Sequence, residues 1–310
     1  MSLKNILAVR NDRFGEFLLN IPAFCAIKDY FKNPRLTVVI NPSTVQLAKK
    51  IKSIDDIIIW ENRRHSLGEI FHFIRQLRNK KFDACLILNP SQEMNIAVYL
   101  SGIPLRAGYD RKWGFLLNRK MKDRKHLGLK HEIDYNLELA GLIGATTGKI
   151  DYSIDIGNGI IQKDNLIAIH PWASDPRKQW PIENFVDLAK QCESKFGSQV
   201  VIVGKTSSQN NKLFDNLGEK IKNLTNQTTL EELGLLLKKS LALISLDSGP
   251  AHLAAAVGTP VIALFRNDLA GKTARRWGPW GKQHLIIEKS NLNDIKIAEV
   301  IGKIEELLKQ

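Results

Sequence analysis

The stretch LALISLDSGPAHLAAAVGTPVIALF, residues 241–265, is apolar at both ends and polar only around its centre. Its first six residues have the composition of a buried strand, AHLAAAVG that of a helix, and VIALF that of a second strand. Short β-branched runs that alternate with helical segments are typical of parallel sheets built from β-α-β units. The stretch therefore predicts an α/β fold.

The same alternation continues through both halves of the chain, which an irregular segment from Asp151 to Asn165 separates. Because 310 residues exceed the size of a usual single core, we expect two domains, residues 1–155 and 156–310. Ligands of open α/β sheets bind at the carboxyl ends of strands, which predicts a site in a cleft between the domains. The predicted strands are NILAVR, LTVVI, DDIIIW, ACLIL and LRAGY in the first half, and LIAIHP, QVVIVG, LALISL and VIALF in the second.

Helical segments fill the spaces between these strands. One runs from Glu16 to Tyr30, where Pro22 either kinks the helix or marks its true start. The loops that join strands to helices are therefore where ligand chemistry is expected. The other helices are predicted at 183–196, after Ser207, at 230–239, after Gly249 and near 292–309.

The chain is strongly basic, with 45 Lys and Arg against 32 Asp and Glu and a net charge of +13. Such an excess points to an anionic partner, which is a nucleic acid, an anionic membrane or a phosphorylated substrate. The basic segment, residues 106–131, has nine Lys or Arg, two Asp and several apolar residues. It is either a solvated loop or a binding surface. A nucleic acid is the least favoured partner because no RNA- or DNA-binding module is recognisable.

Cysteine usage and hydropathy bear on the compartment. The three cysteines lie far apart without a CxxC pair, which argues against a disulfide framework or a zinc site and favours a reducing compartment. The amino terminus offers only four apolar residues before Arg10, fewer than a signal peptide needs. No run approaches the ~20 apolar residues of a membrane span. We therefore expect a cytoplasmic protein.

The polar centre of the opening stretch predicts a phosphate site. Asp247, Ser248, Gly249 and Pro250 form a turn between a strand and a helix. A helix amino terminus presents unpaired N–H groups beside a positive dipole end, which suits an anion. Gly249 lets the ligand approach the backbone, and Ser248 adds a hydroxyl donor. The alternative is that Asp247 or Ser248 only caps the helix.

Charged residues follow another predicted strand in the second half. The strand LIAIHP leads into a loop with Ser174, Asp175, Arg177 and Lys178. Cations at the carboxyl end of a strand fit a diphosphate, especially one that leaves as negative charge grows. The alternative is a solvated, charged loop.

The third polar segment follows the first predicted strand. Residues 10–15 precede Glu16, but the second and third glycines of a dinucleotide fingerprint are missing. Glu16 is either a carboxylate favoured by the helix dipole or a general base that faces the cleft.

Four segments together resemble the bacterial heptosyltransferase family, glycosyltransferase family 9. The family patterns are RxDRIGD followed by PA, HExxxxLxLL, HPGAS with KRWP, and DTGPMHLAAALGTPVVALFG. The corresponding segments here are RNDRFGE with Pro22-Ala23, HEIDYNLELAGLIG, HPWASDPRKQWP and DSGPAHLAAAVGTPVIALF. The resemblance spans nearly the whole chain, and its last segment is the most specific.

The resemblance implies a GT-B fold of two Rossmann-like domains, the first for the acceptor and the second for a nucleotide sugar. It also implies an inverting, metal-independent and cofactor-free transfer of heptose from ADP-heptose to a hydroxyl of the lipopolysaccharide inner core. The residues agree about metal, since the chain has no DxD in a loop and no His/Cys cluster. The family's base position falls on Glu16 and its diphosphate-facing lysine on Lys178.

The remaining site residues follow from the same resemblance. An acceptor that carries anionic Kdo and phosphate groups would bind to the basic segment. The aromatic residues of that segment would allow contact with the inner membrane. The expected donor and phosphate site consists of Ser174, Asp247, Ser248, Gly249 and Pro250. The expected acceptor-binding cations are Arg13, Arg111, Lys112, Arg119 and Lys120.

Two positions depart from the family pattern. Glu16 stands where the family has Asp, and a carboxylate misplaced by ~1 Å can cost on the order of a hundredfold in rate. Trp172 replaces a small residue, and it either crowds the donor site or stacks on a base or sugar. Two alternatives remain open: a family member that uses another nucleotide sugar for a surface polysaccharide, and a catalytically silent protein that binds a nucleotide sugar.

Overall fold

The computed structural model describes residues 3–157, 159 and 161–309. The chain forms two compact units, Met1–Tyr152 and Ser153–Gln310. Each is an α/β unit around one parallel sheet of six strands. The α/β architecture predicted from the alternating sequence pattern is therefore confirmed.

The first unit has the strand order β3-β2-β1-β4-β5-β6, with every neighbouring pair parallel. Its strands are β1 (Asn5–Arg10), β2 (Arg35–Ile40), β3 (Asp56–Ile59), β4 (Ala84–Ile87), β5 (Leu105–Tyr109) and β6 (Arg119–Met121). Its helices are α1 (Phe14–Leu18), α2 (Ile21–Tyr30), α3 (Val45–Ala48), α4 (Leu67–Lys80), α5 (Gln92–Leu100) and α6 (Glu132–Gly141).

The second unit repeats this topology with the order β12-β11-β10-β7-β8-β9, again all parallel. Its strands are β7 (Leu166–His170), β8 (Gln199–Ile202), β9 (Ile221–Asn223), β10 (Ala242–Leu246), β11 (Val261–Arg266) and β12 (Leu285–Lys289). Its helices are α7 (Ile182–Phe196), α8 (Leu230–Lys239), α9 (Gly249–Ala256), α10 (Ala274–Trp277) and α11 (Ile297–Leu308).

The strand orders determine where each unit can bind a ligand. In both sheets the first and fourth strands of the unit, β1 with β4 and β7 with β10, are central neighbours. The chain reverses its direction of winding there, and ligands of doubly wound sheets bind at the carboxyl ends of such strands. The loops after Arg10 in the first unit and after His170 and Leu246 in the second lie at those ends.

The helix predicted from Glu16 to Tyr30 is wrong as a single element, because the structure has α1 and α2 in its place. Asn20 lies between them, and its side-chain amide donates a hydrogen bond of 2.6 Å to the carbonyl of Glu16. Pro22 lies in the first turn of α2, where a missing N–H costs no helical hydrogen bond. The proline therefore marks a helix start, one of the two alternatives that the sequence left open.

Two other helical predictions need correction. The segment after Ser207 is a 3-10 helix, Gln209–Phe214, and not an α-helix. The carboxy-terminal helix begins at Ile297, after a separate 3-10 turn at Leu292–Asp294. Its buried face contributes Val300, Ile301 and Ile304 to the apolar core of the second unit. That packing explains why a helix forms there.

The irregular segment between the halves has no regular secondary structure in its described residues, yet it packs against the second unit. Ile154 and Ile156 are buried. The Ile154 N–H donates to the carbonyl of Ala256, and Lys238 Nζ donates to the carbonyl of Ile156 at 2.7 Å. Asn158 and Ile160 lie outside the described residues. Most of this segment therefore belongs to the second unit.

Three further observations concern compartment and metal. Cys25, Cys85 and Cys192 are free thiols. Within the described part of the chain, no helix has the length and apolar character needed to cross a membrane. The same residues contain no group of three or more His, Cys, Asp or Glu side chains placed to hold a metal ion.

Candidate active site

In the first unit the candidate base lies just after the central strand. Arg10 ends β1, and Glu16 is the third residue of α1, half-buried in its first turn. Burial raises the pKa of the Glu16 carboxyl, and the nearby Asp12 carboxylate raises it further, while Arg10 and Arg13 act in the opposite direction. A carboxylate whose pKa is raised towards neutrality is a stronger proton acceptor. This environment favours the general-base interpretation of Glu16.

Charged side chains lie beneath this loop. Arg10 is 4% exposed and donates from Nε to Asp12 Oδ1 at 2.8 Å. Its guanidinium also lies 3.8 Å from a carboxylate oxygen of Glu132, which is 1% exposed. Glu132 was not among the site residues predicted from the sequence. The available signal was its position directly after His131 in a segment that resembles the family pattern.

The basic segment has an exposed part and a buried part. Arg13, Lys112 and Arg119 are exposed. Two further exposed cations are already paired, Arg111 with Asp123, and Lys120 with Asp110 at 3.3 Å. Trp113 and Phe115 are 47% and 68% exposed beside them. Lys125 instead is buried and bonds to Glu132, so a fully solvated loop is wrong as a description of this segment.

In the second unit the strand-to-helix turn leaves a helix end without a side-chain cap. Ser248 is the residue before α9, and its side chain makes no capping hydrogen bond. Lys178 Nζ donates to Asp247 Oδ2, so the Asp247 carboxylate is engaged elsewhere. Gly249 and Pro250 are the first two residues of α9. The capping alternative is therefore wrong, and the amino terminus of α9 has the backbone donors and dipole of an anion site.

The ion pair brings a cation to this helix end. Lys178 belongs to the 3-10 turn Pro176–Lys178, which follows β7. Burial raises the pKa of Asp247, and the positive charges of Lys178, Lys272 and Arg276 oppose that rise. Ser174 lies exposed on the same loop. The structure thus brings Lys178, a cation from one strand end, to Asp247, which follows the neighbouring strand.

A hydrogen-bonded side chain in β10 supports the turn. The Ser245 hydroxyl lies 2.8 Å from the Ser248 hydroxyl and 3.4 Å from His170 Nδ1. Burial lowers the pKa of His170 to about 4, so its imidazole is neutral near pH 7. Ser245 was not among the predicted site residues, although a small polar residue within the apolar run LALISL was the available signal.

Trp172 does not form an open stacking platform. Its side chain is 7% exposed and packs edge-on against Phe214, with ring centroids 5.8 Å apart, in the core of the second unit. The expected stacking of this residue on a base or sugar therefore needs correction, whereas crowding of the donor site stays a prediction. The space for the ring comes from Gly204, whose missing Cβ would lie 3.0 Å from Trp172 Cδ1.

Gly204 gives a prediction about stability. Its φ is +112°, and an added Cβ would lie 2.4 Å from His170 Cδ2. Gly204→Ala is expected to lower the free energy of unfolding by about 3 kcal/mol, through backbone strain and overpacking. Gly258→Ala, at φ +81° with open space around it, is the matched control and should cost about 1 kcal/mol. Urea unfolding of both variants measures the difference, and equal losses would contradict the predicted clash.

Comparison with known proteins identifies the family. The model of glycosyltransferase family 9 (heptosyltransferase) matches residues 70–304, well over half of the chain. The chain belongs to glycosyltransferase family 9. It is 23% identical over 291 residues to lipopolysaccharide heptosyltransferase 3 of Escherichia coli K12, covering 86% of this chain and 82% of that protein. The enzyme class predicted from the sequence, a glycosyltransferase, is confirmed.

Two solved structures share the fold. A family 9 glycosyl transferase from Veillonella parvula superposes with a TM-score of 0.86 at 20% identity, covering 99% of this chain and 98% of that one. The E. coli ADP-heptose lipopolysaccharide heptosyltransferase II gives a TM-score of 0.83 at 21% identity, with 99% of both chains covered. The predicted GT-B fold of two Rossmann-like units is confirmed. The roles of individual residues in this family 9 member stay predictions.

Proposed function

We propose that this protein transfers heptose from ADP-heptose to a hydroxyl group of the lipopolysaccharide inner core. The names of related proteins support the donor and the acceptor, since one is a lipopolysaccharide heptosyltransferase and another an ADP-heptose heptosyltransferase. The single observation that carries the proposal is the uncapped amino terminus of α9 beside the Lys178–Asp247 pair. This arrangement suits a diphosphate that gains charge as it leaves.

Inversion requires a single displacement. The acceptor oxygen attacks the anomeric carbon, the bond from that carbon to the diphosphate oxygen breaks, and the acceptor proton must be removed. Glu16 takes this proton in our proposal, because its environment raises its pKa. Lys178 and the backbone N–H groups of α9 stabilise the leaving ADP, with Ser174, Ser248 and Gly249 as further donor-site residues.

The acceptor is proposed to bind through exposed cations of the first unit. Kdo carboxylates and lipid A phosphates are anionic, so a cationic surface attracts and orients them. Exposed Trp113 and Phe115 favour additional contact with the lipid surface at the cytoplasmic face of the inner membrane. The cations that we assign to acceptor binding are Arg13, Arg111, Lys112, Arg119 and Lys120.

The proposal predicts acceptor-dependent release of ADP. Purified protein with ADP-heptose and Kdo₂-lipid A is expected to release ADP, and omission of the acceptor should abolish most of that release. UDP- and GDP-sugars serve as control donors in the same assay. Selective turnover of one of these would contradict heptose as the transferred sugar and favour a surface-polysaccharide transferase. Binding of ADP-heptose without any turnover would favour the silent-binder alternative.

A further inference from the structure

A continuous set of charged side chains runs through the interior of the first unit. Lys125 Nζ donates to Glu132 Oε1. The Arg10 guanidinium lies 3.8 Å from the same oxygen and donates from Nε to Asp12 Oδ1 at 2.8 Å. The exposed fractions of the Lys125, Glu132 and Arg10 side chains are 10%, 1% and 5%. Two buried cations thus share one buried carboxylate.

Such an arrangement is costly, and attachment of the basic segment to α6 does not require it. Removing charges from water costs several kcal/mol per ion, and well-packed apolar residues often serve stability as well or better. A second pair, Lys130 with Glu138, joins the same segment to the same helix at the surface. The buried set therefore calls for an explanation other than attachment.

The set ends at the loop that carries the candidate base. The charged groups that act on Glu16 are Asp12, Arg10 and Arg13. Arg10 in turn is influenced by Asp12, Glu132 and Glu16, whose negative charges outweigh the effect of burial and raise its pKa. The negative charge that offsets Arg10 beside this loop therefore comes in part from Glu132, a residue of a different element.

Aromatic side chains enclose the other end of the set. Lys125 Nζ lies 4.8 Å from the ring centroid of Tyr109 and 5.9 Å from that of Tyr135. Burial, followed by the charge of Glu132, raises the pKa of the Tyr109 phenol, so this group stays neutral. The charged groups of this set are therefore the cations Arg10 and Lys125 and the carboxylates of Asp12 and Glu132.

We infer that Glu132 is a positioning residue of the transfer reaction that acts through Arg10, because its carboxylate offsets the positive charge of Arg10 beside the loop that carries Glu16. The same carboxylate oxygen holds Lys125 of the basic segment, so one residue joins the base loop to the proposed acceptor surface. Because it is buried, Glu132 acts through these neighbours. The inference rests on the proposed function, since it takes Glu16 as the base.

The test uses the pH dependence of kcat/KM for ADP release with ADP-heptose and Kdo₂-lipid A. The rate falls as pH falls, because protonation removes the base, and the midpoint reports the pKa of Glu16 in the free enzyme. Glu132→Gln removes a negative charge, leaves Arg10 and Lys125 less compensated, and should move the midpoint to lower pH. Lys125→Met should move it to higher pH. Each shift is expected to be about one pH unit.

The double variant Lys125→Met/Glu132→Gln removes both charges and should return the midpoint close to that of the wild type. Lys130→Met is the matched control, because it breaks the exposed pair on the same segment and should leave the profile unchanged. If Glu132→Gln fails to fold, Lys125→Met and the double variant still measure the shift. Midpoint shifts of opposite sign in Glu132→Gln and Lys125→Met would support the inference. A purely structural role predicts a lower rate in both variants with an unchanged midpoint.

Two results would overturn the inference, and they are distinguishable. If Glu16→Gln is inactive while both single variants shift the midpoint in the same direction or not at all, Glu132 has no positioning role and the base assignment stands. If Glu16→Gln keeps the wild-type kcat, the base assignment itself is wrong and the inference falls with it.

Discussion

Replacing Glu16 with glutamine is expected to lower kcat by about 10²–10⁴-fold, because the acceptor hydroxyl loses its general base. Initial rates of acceptor-dependent ADP release measure the effect, and the Kd for ADP-heptose should stay unchanged. In the wild type, kcat/KM is expected to fall with decreasing pH at a midpoint above the ordinary glutamate pKa of about 4.3. Burial and the Asp12 carboxylate raise the Glu16 pKa, so the base becomes protonated earlier as pH falls.

The matched control for Glu16 is Glu183, an exposed carboxylate in the first turn of α7. A carboxylate that only favours the helix dipole contributes about 0.3–1 kcal/mol to stability and nothing to turnover. Equal, small effects of Glu16→Gln and Glu183→Gln on turnover would therefore support the helix-dipole interpretation and contradict Glu16 as the general base. Glu16→Asp, which restores the residue typical of the family, should retain more activity than Glu16→Gln.

Lys178→Ala is expected to lower kcat/KM by about 10²–10³-fold, because the leaving diphosphate loses a fixed positive charge in a partly buried site. ADP should also bind more weakly to this variant. Removal of the lysine leaves the Asp247 carboxyl without its ion-pair partner, and its pKa should rise further. The steady-state rate and the Kd for ADP, both measured above pH 7, test the prediction.

Lys195→Ala is the control for this second prediction, since Lys195 forms an exposed ion pair with Glu305 in the same unit. Exposed pairs contribute ~0–1 kcal/mol, so this variant should keep wild-type kinetics. If Lys178→Ala turned over at the wild-type rate, stabilisation of the leaving group would have to come from the α9 helix end alone. Asp247→Asn separates the two effects, because it keeps the shape of the turn while freeing Lys178.

The central strands of both sheets could be predicted from the sequence, whereas several edge strands could not. Central strands are covered on both faces, so β1, β7 and β10 read as continuous apolar runs. The short strands β6 and β9 lie at sheet edges and contain exposed charged residues. Nothing in RKM or IKN signals a strand, because pairing with a neighbour, and not burial of the side chains, defines it.

The candidate site divides in the same way. The phosphate turn and the loop after β7 could be located from the sequence, because glycine, proline and helix-start residues act locally. Their contact could not be predicted, since the residues of the Lys178–Asp247 pair are 69 positions apart. Sequence alone also left open whether Asp247 or Ser248 only caps α9, because the pairing of Asp247 depends on Lys178 from the neighbouring loop.

By itself the sequence determined the α/β class, the repeated β-α pattern and the segments that carry the chemistry, because hydrophobic periodicity and turn residues are local properties. Only the tertiary structure decided which charges are buried. Lys125 and Lys130 are five residues apart in the same basic segment, yet one is enclosed with Glu132 and the other lies at the surface with Glu138. Burial and pairing depend on side chains brought together from distant parts of the chain, and these set the electrostatics around Glu16.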